Sequence, residues 1–286
     1  HFYYWRGPNR HDLYRNGEEV FHDGEFFPEL MLKEASAFIT ESKDDPFFLY
    51  FAINLPHYPY QGYPKWLEYY DEQGVPYPRN LYAAFLSTQD EIIGQLIQNL
   101  DTLGLREDTI IIFQSDNGHS TEERAHFGGG NTGVFRGAKA CLFEGGIRVP
   151  AAISWPARLP SGGSRGQLSS NTDWLPTLAE LCELDMPDTM IEGKSLVPVL
   201  RDPQAASVHD GVYHWEFRGQ WVARDGRWKL LGNPVDKSAK APLGENDKLF
   251  LVDLDNDPGE LTNLASSYPQ KVETLKQSYL TWKNSF

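Results

Sequence analysis

The chain has 286 residues, of which 40% are hydrophobic and 13% aromatic, enough for a packed core and too much for a disordered protein. Its formal charge of −14, from 40 Asp and Glu against 26 Lys and Arg, excludes the basic face that a nucleic-acid partner requires. It does not exclude a small anionic substrate, because a metal ion and one or two cations reverse the field locally. No apolar run approaches the roughly 20 residues of a membrane span, so neither nucleic acid nor membrane is an expected partner.

Position 1 is His, followed by the aromatic run Phe2, Tyr3, Tyr4 and Trp5, with neither an initiator Met nor a signal segment. This start reads as processed or cut, with sequence expected upstream. Leu30, Leu32, Ala35, Ala37, Phe38 and Ile39 predict a helix over 29–40. The continuous apolar run from Pro46 to Ile53 predicts a buried parallel strand. A turn-rich aromatic loop occupies 54–79, and Asn80 is expected to cap a long helix that Gly104 ends. Thr109–Phe113 and Val149–Trp155 read as further buried strands, and Asp173–Leu184 as a helix. Strands alternating with helices predict an α/β layered domain with a mainly parallel sheet.

The composition changes near Pro203. Short strands are expected at 212–217, 221–224, 228–231 and 249–253, separated by turns such as Asp225-Gly226, with a closing helix over about 269–282. Residues 1–205 then form the α/β domain and 206–286 a small antiparallel sheet with a helix. Cys141 and Cys182 form no CxxC pair and read as buried free thiols.

Three segments carry chemistry. Gln114-Ser115-Asp116-Asn117-Gly118 directly follows an apolar strand, and strand ends are where open α/β sheets place ligand sites. Adjacent carboxylate and amide oxygens, with Gly for the tight turn, suit a hard cation, although Asp-Asn-Gly is also an ordinary turn. In Phe135-Arg136-Gly137-Ala138-Lys139 the glycine lets a ligand approach and Lys139 offers a point charge to an oxyanion; a solvated loop lysine fits the same pattern. Arg148 precedes an apolar strand and reads as the partner of Glu144 in a buried ion pair. His57, in Asn54-Leu55-Pro56-His57-Tyr58-Pro59, follows the first apolar strand as either a proton donor or a packed loop residue. His119, His126 and Asn131 lie between the Asp116 turn and Lys139, as subsite or plain loop residues, and the aromatic stretch 58–77 offers rings for sugar stacking or for packing.

Together these segments resemble the formylglycine-dependent sulfatases, most of all arylsulfatases and N-acetylgalactosamine-6-sulfatases. The resemblance continues through Ile153-Ser154-Trp155-Pro156, Thr172-Asp173-Trp174-Leu175-Pro176-Thr177, and Asp253–Glu260 with Asn263-Leu264, so that it covers nearly the whole chain in order. It implies an alkaline-phosphatase-like α/β/α sandwich, incomplete at its N-terminus, with the small C-terminal sheet beside it. It implies sulfuric ester hydrolysis on a sulfated carbohydrate or aryl sulfate, Ca²⁺ as the metal, and a periplasmic, secreted or lysosomal setting. Asp116 and Asn117 match two Ca²⁺ ligands, Lys139 a lysine that contacts the sulfate, and His57 a histidine at the leaving-group oxygen; His119 and His126 become substrate-contact candidates.

The family's Asp-Asp pair and its Cys/Ser-x-Pro-x-Arg nucleophile segment have no counterpart in family order. Neither cysteine fits, and Ser154-Trp155-Pro156-Ala157-Arg158 satisfies the pattern only literally, at the place of the family's Trp-Pro strand end. The chain is therefore expected to be silent alone and to self-associate through the unfinished sheet. A related phosphoesterase or phosphonate hydrolase is the alternative; Asn117 beside Asp116 favours the sulfatase. A catalytically silent truncated product or binding module is the reading from a different class.

Overall fold

A computed structural model describes residues 5, 6 and 10–285; Phe2, Tyr3 and Tyr4 lie outside the described residues. The chain divides into two compact units, one of 1–107 with 120–131, the other of 108–119 with 132–286.

The first unit opens with paired strands β1 (Trp5–Arg6) and β2 (Arg10–His11), then β3 (Tyr14–Arg15) and β4 (Glu18–Glu19). Asn16 and Gly17 join β3 to β4 with φ of 52° and 86°, the doubly left-handed turn that an Asn-Gly pair favours. Helix α1 (Phe27–Glu41) takes Pro28 at its start and buries Leu30, Ala35 and Ile39 along one face. Residues 46–53 form no strand. Their side chains alternate between exposed and partly covered, so the run is extended, but no sheet ladder among the described residues pairs with it. An apolar run lacking a hydrogen-bonding neighbour leaves its rings in solvent: Phe48 is 76% and Tyr50 82% exposed.

The aromatic loop contains an unexpected helix, α2 (Pro64–Glu72). It leans on α3 (Arg79–Thr102) through Trp66 Nε1 and Lys65 Nζ, which donate to Glu91, and through a Tyr70–Ser87 hydrogen bond. Helix α3 buries Ala84, Phe85, Thr88, Ile92 and Leu100 and packs on α1. It ends as expected: Gly104 adopts φ 70°, its N–H bonds Asp101 O, and Leu105 N bonds Leu100 O. Asn80 lies inside the helix rather than at its cap, and its amide reaches Asp71.

In the second unit β5 (Ile111–Gln114) is followed by the short helix α4 (Glu144–Ile147) and β6 (Ala151–Ser154). Strands β5 and β6 pair antiparallel, with Gln114 opposite Ala151 and Ile111 opposite Ser154, where alternation with helices predicts parallel neighbours. Nor are they buried on both faces. Ile110, Ile153 and Trp155 meet Leu181 of α5 (Trp174–Leu181) and Val197 of α6 (Val197–Arg201), while Phe113, on the opposite side of β5 from Ile112, stays exposed. Cys141 is buried as expected, but Cys182, at the end of α5, is exposed.

Strands β7 (Tyr213–Phe217), β8 (Gln220–Asp225), β9 (Trp228–Gly232) and β10 (Leu249–Asp253) form the expected antiparallel sheet in the order β10-β9-β8-β7. Period-two alternation sorts its side chains. Ala223, Leu230 and Leu251 pack on Leu275 and Tyr279 of α7 (Pro269–Lys283), whereas Val222, Leu231, Phe250 and Val252 enclose Cys141, Leu142 and Phe143. The sheet thus shares a core with the segment before β6, and the division by packing differs from a boundary at residue 205. Among the described residues no helix is long and apolar enough to cross a membrane.

Candidate active site

The turn after β5 is built by short-range hydrogen bonds. Asp116 Oδ1 accepts from Asn117 N at 2.8 Å, Asn117 Nδ2 donates to Gly118 O at 2.9 Å, and Ser115 Oγ donates to Asn117 O. Ser115 N continues the β5–β6 pairing by bonding Pro150 O. The turn is fastened to the segment 136–146 by two backbone bonds, Gly118 N to Gly146 O and Lys139 N to His119 O, each 2.9 Å. The backbones carrying Asp116, Asn117, His119 and Lys139 are therefore joined by hydrogen bonds. Gly118 is not required for a left-handed turn; it lacks a side chain because a Cβ there would lie 2.0 Å from Gly145 O.

The segment that carries Lys139 is almost wholly buried from Arg136 to Gly146, with Lys139 and Ala140 partly covered. Gly137, at φ 95°, faces the Phe143 side chain, and Gly145 and Gly146 leave no room for a Cβ against the backbone of 136–141. The Arg136 guanidinium is fully buried. It pairs with Asp236 at 2.7 Å, donates to Glu260 O and Ala241 O, and sits 4.3 Å from the Phe143 ring centre. Glu144 binds Lys229 of β9 at 2.9 Å, and Lys229 also meets Glu260 at 2.8 Å. Burial raises the Glu144 carboxyl, but the opposing Lys229, Arg224 and Arg148 charges hold it below its ordinary value. Burial pushes Glu260 up, with the neighbouring Glu144 charge adding to it and Lys229 only partly opposing. Lys229 ends above its ordinary value: burial lowers it, and the two carboxylates outweigh that loss. The expected Arg148–Glu144 contact is present at 3.6 Å, but Arg148 is 56% exposed and lies over the Phe135 ring, so Lys229 is the buried partner.

His57 and His126 belong to the first unit. His57 Nδ1 donates to Tyr58 O at 2.8 Å, which orients the ring. The Tyr58 hydroxyl donates to Glu122, Tyr60 Oη donates to Gly128 O at 2.7 Å, and Arg79 holds Gly129 O. Burial pushes the Tyr60 hydroxyl up to about 12, so it stays a neutral donor. His126 adopts φ 53°, hydrogen-bonds Tyr77 Oη through Nδ1 at 2.6 Å, and lies with its ring centre 5.9 Å from that of Tyr60. The loop 120–131 is therefore draped over tyrosines 58, 60 and 77, and Asn131 ends it, exposed. Composition flags these rings; their pairing with Glu122, Gly128 and His126 has no sequence signal, because the partners lie 49 to 68 residues away.

Calcium takes six to eight oxygen ligands. The Asp116-Asn117 turn offers two adjacent side-chain oxygens, and among the described residues no group of three or more His, Cys, Asp or Glu could hold a metal. The turn fits part of such a shell and does not complete one. Ser154 lies opposite Ile111, at the far end of the strand pair from the Asp116 turn, three residues or roughly 10 Å from Ala151. Its side of the motif is structural: Trp155 is buried and Arg158 covers its ring at 4.8 Å.

Helices α5 and α6 packed on the β5–β6 pair, an appended antiparallel sheet and the likeness to solved sulfatases make this an alkaline-phosphatase-like α/β protein. The sulfatase family profile matches residues 2–184, and the profile for the C-terminal part of N-sulphoglucosamine sulphohydrolase matches 130–283. The chain belongs to the sulfatase family. It is 32% identical to arylsulfatase A of Homo sapiens over 84% of its own length and 49% of that enzyme. To the N-acetylgalactosamine-6-O-sulfatase of Bacteroides thetaiotaomicron it is 28% identical, covering 91% of this chain and 52% of the relative. The crystal structure of Ps i-CgsB in complex with k-i-k-neocarrahexaose superposes with a TM-score of 0.79 at 25% identity, over 93% of this chain and 56% of that one. The chain thus spans about half the length of the curated relatives it matches.

Proposed function

We propose that this chain supplies the sulfate-holding part of a sulfuric ester hydrolase acting on a sulfated sugar or aryl sulfate. The observation that supports this most is the fastening of the Asp116–His119 turn to the Lys139 segment by two backbone hydrogen bonds. It joins the backbone that carries Asp116 and Asn117 to the backbone that carries Lys139, which supports a reading in which these groups act together on an anion. In this reading Lys139 offers its charge to a sulfate oxygen, His119 lines the same loop, and Asp116 and Asn117 give two oxygens to Ca²⁺. The ion would supply charge stabilisation to the sulfate oxygens when bound. His57 would give a proton to the leaving sugar or aryl oxygen, with its ring oriented by the Tyr58 carbonyl. His126, held by Tyr77, contacts the sugar. The family membership and the N-acetylgalactosamine-6-O-sulfatase relative support a carbohydrate sulfate as substrate.

A further part of the proposal is that no residue of this chain is the nucleophile. Ser154 stands at the wrong end of its strand, Cys141 is buried with its thiol pushed up by burial, and Cys182 is followed by Glu-Leu. Two measurements test the reading. Inorganic sulfate titrated into the 286-residue chain is expected to shift the Lys139 amide in NMR, an effect that Lys139→Ala abolishes; no shift in the parent chain would overturn the sulfate assignment. Purified chain, free of longer species, is expected to turn over neither an aryl sulfate nor a phosphonate ester. Turnover of the aryl sulfate would refute the nucleophile argument, and turnover of the phosphonate alone would favour the phosphonate monoester hydrolase alternative.

A further inference from the structure

Lys229 is a fully buried cation outside the residues assigned to substrate or metal, and its surroundings all bear on one segment. Its ammonium group lies between Glu144 and Glu260, at 2.9 and 2.8 Å. The second oxygen of Glu260 accepts from Glu144 N at 2.5 Å. Gln220, at the start of β8, accepts from Leu142 N and donates to Ala140 O, while Ser238 Oγ accepts from Gly137 N. The Arg136 guanidinium is gripped by Asp236 and by Glu260 O. Apart from the Lys229–Glu260 pair, each of these contacts runs from the antiparallel sheet or its loops to residues 136–144, the segment bearing Lys139.

Apolar packing alone joins a sheet to a loop at least as well, since replacing a buried ion pair by hydrophobic groups is often neutral or stabilising. What directional polar contacts add is a single position. The Phe143 and Leu142 side chains already supply the apolar contact with Val222, Leu231 and Phe250. The charges therefore serve register rather than adhesion.

We propose that the buried Lys229–Glu144–Glu260 cluster, with Arg136–Asp236, is a positioning device through which the C-terminal sheet sets the placement of Lys139 and the Asp116–His119 turn. It rests on the reading of Lys139 as a sulfate contact. The cluster touches neither substrate nor metal; it acts by holding Gly146 and Lys139 where their hydrogen bonds to Gly118 and His119 form. The sheet of β7–β10 is then part of the site's machinery rather than an appendage.

The test is amide hydrogen exchange of the whole chain. Glu260→Gln, and Asp236→Asn as a milder variant should the first fail to fold, are compared with Leu275→Ala, which empties the core on the opposite face of the same sheet. The Gly118 and Lys139 amides are expected to exchange about tenfold faster in the charge variants than in Leu275→Ala, at equal distance from the global transition, because local openings are separate from global ones. Equal protection of both amides in all variants, or equal loss in Leu275→Ala, overturns the proposal. A sulfate arm separates the two claims. If inorganic sulfate fails to protect the Lys139 amide in the parent chain while the variants order as expected, the positioning role stands and the sulfate reading of Lys139 falls.

Discussion

Gly118→Ala places a methyl group 2.0 Å from Gly145 O and 3.1 Å from both Gly145 C and Gly146 Cα. None of these is the end of a flexible side chain, so the Asp116 turn and the Lys139 segment must separate by roughly 1 Å for ordinary carbon–oxygen contact, near 3.3 Å. Separation breaks the 2.9 Å bond from residue 118 N to Gly146 O and strains that from Lys139 N to His119 O. A hydrogen bond lost inside the protein costs about 1–3 kcal/mol and overpacking about 1–3 kcal/mol more, so a total near 3 kcal/mol is expected. With a urea dependence of about 3 kcal/mol per molar, the unfolding midpoint of the second unit falls by about 1 M. Trp155, Trp174, Trp215, Trp221, Trp228 and Trp282 all lie in that unit and report the transition by fluorescence. An unchanged midpoint, with the Gly118 and Lys139 amides as protected as in the parent, would refute the argument that the two segments are locked by backbone contact.

Three further outcomes follow from particular groups. Glu260 in the folded chain lies above its ordinary 4.5, so its contribution to stability is full below that pH and is lost as pH rises through the raised value. Glu144 lies below 4.5, and its contribution is lost only as pH falls through its lowered value. Glu260→Gln removes the first dependence, and the stability difference between variant and parent is expected to move in the variant's favour as pH increases above 4.5; urea titrations giving a constant difference would contradict this. Phe85→Ala deletes a fully buried ring of α3 and is expected to destabilise the first unit by about 3–5 kcal/mol, read from loss of helical circular dichroism. Self-association is expected through the run 46–53, which no ladder among the described residues pairs, and Phe48→Lys with Tyr50→Lys is expected to lower the light-scattering mass; a parent chain that is monomeric at high concentration would dispose of the idea.

Most elements of the second unit are legible in the residues because their signals are local. The β7–β10 strands and α7 fall within two residues of the positions that alternation and turn chemistry predict, and β10 coincides. Helices α1 and α3 follow from apolar spacing and from Gly104. The run 46–53 shows the limit of the same logic. Its apolar composition is that of a buried strand, but a strand is completed by hydrogen bonds to a neighbour, and none among the described residues supplies them. Helix α2 has no clear local signal, because it lies in a proline- and aromatic-rich stretch that reads as turns; its contacts from Trp66 and Lys65 to Glu91 on α3 are tertiary. The Asn16-Gly17 hairpin has a local cause, since that pair is a strong turn signal.

The sequence by itself determined the sulfatase signature: the ordered segments around His57, Asp116, Lys139 and Glu260, and the chemistry their residue types permit. It also placed Asp116 and Asn117 at a strand end, since that rests on a strand and a turn adjacent in the chain. Only the tertiary structure decided why Gly118, Gly145 and Gly146 are glycines, and which cation Glu144 meets. Alternation puts Lys229 and Leu231 on one face of β9, but nothing nearby in the chain says that face is covered by Glu144 and Glu260, 85 residues before and 31 after Lys229. Periodicity is a property of neighbours in sequence; burial of a charge depends on who arrives from far away. The Asp116 turn accordingly owes its conformation to its own hydrogen bonds and its attachment to Lys139 to a clamp assembled from the far end of the chain.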